Sequence, residues 1–122
     1  MDFISVQKYL LEKHQAKEMF PASPDIAVYK VCHKMFATLT AEGGAPRVSL
    51  KCDPDLALQL RDEYPAVRPG FQMNKKHWNT VMLDGSIPSI QIQRMIDHSY
   101  QLIIDNLPTI ERENLLASKL QK

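Results

Sequence analysis

Between Asn74 and Asn79 the chain reads Asn-Lys-Lys-His-Trp-Asn, which places two ammonium groups, an imidazole, an indole and two amides within one short stretch. Phosphate oxygens need N–H donors with positive charge, and Lys75 and Lys76 supply them. A base or sugar needs a flat apolar surface; Trp78 offers one, and stacking of this kind is worth roughly 1–3 kcal/mol per base. Asn74 and Asn79 carry the amide groups that can read base edges, and His77 sits between the cations and the indole. A plainer account fits the same residues: two lysines in a solvated turn and a sole tryptophan in a core. No helix-turn-helix, zinc-finger or RNA-recognition signature accompanies the stretch.

Bulk charge does not decide between these accounts. The 122 residues hold 15 Lys+Arg and 14 Asp+Glu, a net charge of +1, so no nucleic acid would be coated by charge alone. The distribution is less even. Arg68, Lys75 and Lys76 face no acid between Arg68 and Leu83, and Lys30, Lys34, Arg47 and Lys51 face only Glu42 between Ile26 and Cys52. Each segment is therefore net +3, which leaves −5 for the remainder. A basic sheet surface and an acidic helical surface are expected.

Other chemistries find less support. Cys32-His33, Cys52 and His77 lie on or near strands, but no C-x-x-C or H-x-x-x-H pair supplies a local metal half-site. Neither metal nor cofactor is expected, and the two cysteines are expected to be free thiols. Neighbours on a strand point to opposite faces, so His33 cannot serve Cys32 as a base. His14 and His98 fall in helical segments among polar residues and are expected to be exposed. Paired catalytic carboxylates and a phosphate-cradling glycine loop are both missing, so a non-enzymatic protein is expected.

The elements that must position these residues follow from periodicity. Residues 2–13 form an amphipathic helix with Asp2 at its N-cap and Phe3, Val6, Leu10 and Leu11 in one stripe. Residues 16–20 make a short strand. Residues 26–32, 35–40 and 47–52 alternate as an antiparallel meander with one wet face, turning at His33-Lys34 and at Gly43-Gly44. Arg47, Ser49 and Lys51 share one face, and Val48, Leu50 and Cys52 share the other. Asp53-Pro54-Asp55 starts a helix that Pro65 stops. Residues 64–76 read as irregular, and residues 78–84 as a last strand with Trp78, Thr80 and Met82 on one face. Residues 88–106 form the longest helix, with Ile92, Met95, Ile96, Ser99, Ile103 and Leu107 at the helical period. Thr109 opens a final helix over 109–120, with Ile110, Leu115, Leu116 and Leu120 as its apolar positions. The whole is one α+β domain over 1–122: a twisted antiparallel sheet with helices packed on one face.

Four segments carry a resemblance: Lys34–Ala37, Ser49–Pro54, Tyr64–Phe71 and, most specifically, Met73–Ser86. In order and spacing they resemble the MmcQ/YjbR family of small bacterial proteins over roughly nine-tenths of the chain. That resemblance implies a CyaY-like fold of double-wing type and a DNA-binding role, with double-stranded DNA as partner. The positions such wings would use here are Lys30, Lys34, Arg47, Lys51, Lys75 and Lys76; with Arg68, Asn74, His77 and Trp78, read from the residues themselves, they make up the expected nucleic-acid-binding set. Cys32-His33 departs from the glycine-rich turn expected in many relatives and implies a bulkier hairpin tip. The fold kinship with frataxin-like proteins would imply an acidic iron-binding ridge. Asp2, Glu12 and Glu18 stand among lysines here, so iron is not carried over.

A reading from a different class makes residues 64–78 the recognition surface of a protein- or small-ligand-binding module, with Tyr64, Phe71 and Trp78 as aromatic anchors. Residues 1–8 show no basic stretch leading into an apolar run, and no segment has the 18 or so apolar residues of a membrane span. A cytoplasmic monomer without membrane contact is expected.

Overall fold

The computed structural model describes residues 1–70 and 73–120. Its elements run in the order α1 (Phe3–Leu11), β1 (Lys17–Met19), β2 (Ile26–Val31), β3 (Lys34–Thr40), β4 (Arg47–Lys51), α2 (Pro54–Glu63), β5 (Val67–Pro69), β6 (Trp78–Met82), α3 (Ser89–Asp105) and α4 (Thr109–Leu120). Among the described residues the strands form one six-stranded sheet in the order β1-β2-β3-β4-β6-β5. Every neighbouring pair is antiparallel. The expected α+β architecture holds, with one addition. Residues 67–69 are an edge strand, where the sequence reads as irregular.

Local chemistry explains the helix starts. Asp2 accepts the Ser5 N–H at 2.8 Å and Asp53 accepts the Leu56 N–H at 3.3 Å, each satisfying an amide that the first turn leaves without a partner. Pro54 stands in the first turn of α2, where a missing N–H costs nothing.

One face of the sheet carries Ala27, Tyr29, Ala37, Leu39, Val48, Leu50 and Val81, all buried. Against it α3 lies over β3 and β4, α1 over β3, and α2 over β5 and β6. The predicted α3 positions Ile92, Met95, Ile96, Ser99, Ile103 and Leu107 are all buried. The outer helices are covered less than their patterns suggest. Leu11 of α1 and Ile110, Leu116 and Leu120 of α4 are exposed, and Leu115 alone of the predicted α4 positions is buried. Apolar spacing marks a face; it does not supply the partner that covers it.

The opposite face is not uniformly wet. Val28, Thr40, Ser49 and Thr80 are buried there, although the helices lie on the other side. Chain between β5 and β6 brings Met73 over this face, where it shares a cleft with Ile26, Thr38, Thr40 and Ser49. Phe71 falls outside the described residues.

The β2–β3 hairpin turns at Cys32-His33, one residue earlier than its sequence suggests. Val31 pairs with Lys34, and the two residues between them have φ of 48° and 65°. Both central positions of such a turn require positive φ, which costs a side-chain-bearing residue roughly 1–2 kcal/mol. His33 is exposed, so nothing packs against its ring to compensate. Replacing His33 by glycine is expected to raise stability by up to about 1 kcal/mol, read as a higher urea midpoint at unchanged m-value.

Candidate nucleic-acid interface

Strand register decides where the cations go. Lys17 is the cross-strand partner of Lys30, and Lys30 that of Met35; two strands further on, Lys51 is the partner of Trp78. Lys17, Lys30, Lys51 and Trp78 therefore form a row across one end of the sheet, on the face away from the helices. Neighbouring strands lie about 4.8 Å apart, so the row from β1 to β6 spans about 19 Å. The β2–β3 hairpin tip projects at the same end and carries exposed Lys34. The segment entering β6 brings exposed Lys75 and Lys76 there, with half-buried His77 and Trp78.

Two cations lie elsewhere. Arg68 sits one row further along, opposite Thr80 on the edge strand, and is exposed. Arg47 starts β4 at the far end. Its Nη1 donates to the carbonyls of Glu42 at 2.8 Å and Ala45 at 2.9 Å, so it braces the β3–β4 loop.

The two asparagines are engaged in structure. Asn74 Oδ1 accepts the Lys76 N–H at 3.0 Å, closing the turn that presents the lysines. Asn79 lies buried on the helix side of β6, where its Oδ1 accepts from Arg61 Nε at 2.7 Å and its amide donates to the Ala57 carbonyl at 3.3 Å. Asn79 is therefore not placed to read a base edge from the open face, while Asn74 is exposed with its Oδ1 committed to the turn. The expected exposure of two histidines is also corrected. His14 is half-buried beyond the end of α1, 2.9 Å from the Ser118 hydroxyl, and half-buried His98 accepts the Asp53 N–H at 3.2 Å.

Two side chains outside the predicted set, and one backbone amide, shape this end of the sheet. Arg61 of α2 donates through Nη2 to the Lys75 and Trp78 carbonyls while holding Asn79, so one guanidinium pins the basic loop to the sheet. The Cys52 N–H donates to the His77 carbonyl at 2.8 Å and ties the same loop to the end of β4. Lys17 is the second. Like charges directly opposite on an antiparallel pair are destabilising, yet Lys17 and Lys30 face one another. No acid offsets them: among the described residues the one ion pair within 4 Å is Lys13 with Asp97, on the helical side.

Trp78 is held by close backbone approach. The Gly70 N–H donates to the Trp78 carbonyl at 2.8 Å, and a Cβ on Gly70 would lie 2.7 Å from that of Trp78. Register puts Trp78 on the same face as Lys51, half-buried at the end of the lysine row. Tyr64 packs instead against the core, so it does not share a surface with Trp78.

Among the described residues no three His, Cys, Asp or Glu side chains converge as a metal site would require. Cys52 is buried, and that burial, with the nearby Asp53 charge, pushes its thiol up to about 11, keeping it protonated at neutral pH. No helix among the described residues is long and apolar enough to cross a membrane.

Comparison with known proteins places these features in context. A family model described as YjbR matches residues 11–102. The Escherichia coli K12 protein named Uncharacterized protein YjbR is 36% identical over 116 residues, covering 95% of this chain and 98% of that one. Uncharacterized protein YbdF of Escherichia coli O157:H7 is 31% identical over 103 residues, 84% of each chain. Among solved structures, a Deinococcus radiodurans protein superposes with a TM-score of 0.84 at 31% identity, covering 92% of this chain and 86% of that chain. A Pseudomonas syringae protein gives a TM-score of 0.74 at 32% identity, covering 84% of this chain and 98% of its own.

Proposed function

The chain belongs to the YjbR family, and on that footing we propose that it binds double-stranded DNA through the phosphate backbone, without catalysing a reaction. One observation carries this reading: the row Lys17, Lys30, Lys51 and Trp78 across the open end of the sheet, with no ion pair to these lysines within 4 Å among the described residues. Phosphate contacts position a protein on a duplex and require no particular sequence, which suits a surface of ammonium groups without a recognition helix. The β2–β3 hairpin tip with Lys34 and the loop with Lys75 and Lys76 project from this end of the sheet as two wings. Trp78 closes one end, where an indole can rest on a sugar or an unstacked base. In this reading one copy of the chain suffices and acts in the cytoplasm.

Salt dependence tests it. Fluorescence anisotropy with a labelled duplex at several salt concentrations should give a linear fall of log K with log salt. Removing two phosphate contacts with Lys30→Gln and Lys51→Gln should flatten the slope by about 1.8, at about 0.9 per contact. Lys8→Gln, which removes the same kind of charge from the exposed face of α1, should leave the slope unchanged. Absence of binding at low salt, or equal effects of the two changes, would reject the proposal.

A further inference from the structure

The helix side of the sheet contains a cavity whose lining takes in Lys51 and no other member of the lysine row. It lies between α2 and α3, over β4 and β6, with a volume of about 230 Å³. Its origin is in the packing. Helix α3 covers β3 and β4 while α2 covers β5 and β6, and the two helices leave the strand boundary between them uncovered. The consequence shows on α2, where Ala57 is the one fully buried residue and the inward Leu56 and Leu60 stay half-buried. Their side chains line the cavity with Leu50, Val81 and Met95, so its body is apolar.

The charged side chains among the residues at this cavity are cationic. No acid lines it, whereas Arg94, Lys51 and His98 do. Arg94 is exposed on α3 and has no hydrogen-bond or ion-pair partner among the described residues. His98 Nε2 accepts the Asp53 N–H, which leaves the ring proton on Nδ1 and makes that atom a donor. Asn79 also lines the cavity, but Arg61 and Ala57 already engage both ends of its amide. The protonated Cys52 thiol adds no negative charge to the wall.

We propose that this cavity binds a small amphipathic carboxylate, its apolar body against Leu50, Leu60, Val81 and Met95 and its carboxylate against Arg94 and His98. Size narrows the class. An apolar cavity of about 150 Å³ holds a benzene ring, so this one suits a single ring with a short acid arm or an acyl chain of about eight carbons. Arg is the side chain best matched to a carboxylate, through two parallel N–H bonds.

Octanoate and its neutral isostere octanamide are the probes, titrated into the ¹⁵N-labelled protein with amide shifts followed by NMR. Octanoate is expected to bind one-to-one and saturably, with shift changes concentrated on α2, α3 and the end of β4. Octanamide should bind at least about tenfold more weakly. Arg94→Gln, at an exposed position, should bring octanoate down to the octanamide level and leave octanamide unchanged. Leu60→Trp should fill the cavity and abolish binding of both. The proposal falls if octanoate fails to saturate, if the amide binds equally well, if Arg94→Gln has no effect, or if the shifts map to the open face of the sheet. The Arg94→Gln comparison decides the matter even if Leu60→Trp does not fold.

Discussion

Replacing Ser99 by alanine is expected to destabilise the protein by about 2–4 kcal/mol, although it removes a single oxygen atom. Ser99 is fully buried in α3. Its hydroxyl donates to the Phe36 carbonyl at 2.6 Å and accepts the Lys51 N–H at 3.0 Å. The β3–β4 register begins at Ala37 with Leu50, next to an irregularity in the β2–β3 pairing. Phe36 and Lys51 thus lie just beyond the last paired rung, and the serine bridges their backbones from above. Alanine leaves a buried donor and a buried acceptor without partners, at roughly 1–3 kcal/mol each. Thermal unfolding should show a Tm lower by about 8–15 °C. Because the bridge anchors the backbone of Lys51, affinity for duplex DNA should fall as well, with every lysine still present. A variant with wild-type stability would show that the two backbone groups find other partners.

Arg61→Lys is the second large effect. The guanidinium reaches Asn79 Oδ1 and the carbonyls of Lys75 and Trp78 from one planar fork. An ammonium on a flexible stem cannot meet all of them at once. Losing charge-assisted bonds and leaving Asn79 Oδ1 buried without its donor should cost about 2–3 kcal/mol. Formal charge is preserved, so a model in which only net charge matters predicts unchanged DNA binding. The pinned-loop account predicts weaker binding and faster hydrogen exchange at the His77 amide, which donates to Asn74 in the same turn. Exchange rates and anisotropy measured on one preparation separate the two accounts.

Much of this architecture was legible in the sequence because it is locally determined. Asp2 and Asp53 cap helices through contacts three residues away, and the helical period of α3 matches its buried face. Alternation in the meander and in β6 likewise sorted Lys30, Lys51 and Trp78 to one face of their own strands. What alternation cannot convey is register. That Lys17 faces Lys30 and that Lys51 faces Trp78 are properties of strand pairs, so the row was invisible while its members were visible. Strand β5 escaped notice for a related reason. Val67-Arg68-Pro69 has no strand pattern of its own, and its pairing comes from β6. The role of Arg61 was hidden too, since it joins a helix to a carbonyl 14 residues away. The asparagines failed in the opposite direction. Both amides suit base recognition by type, but the fold buries Asn79 and binds both ends of its amide, and it turns Asn74 Oδ1 to the Lys76 N–H.

The two ends of the strand order have a bearing on self-association. Each edge strand, β1 and β5, is three residues long. An open edge normally offers a ladder of unpaired amides and carbonyls on which another sheet can grow. Here β1 carries Lys17 and Glu18 within that length, so a second edge would have to desolvate charge to dock. Strand β5 ends at Pro69, which has no N–H to offer an incoming strand. The sheet thereby offers two short, interrupted edges, a poor template for edge-to-edge growth between copies of the chain. The lysine row is thus carried on a sheet whose edges discourage adding strands from its own kind.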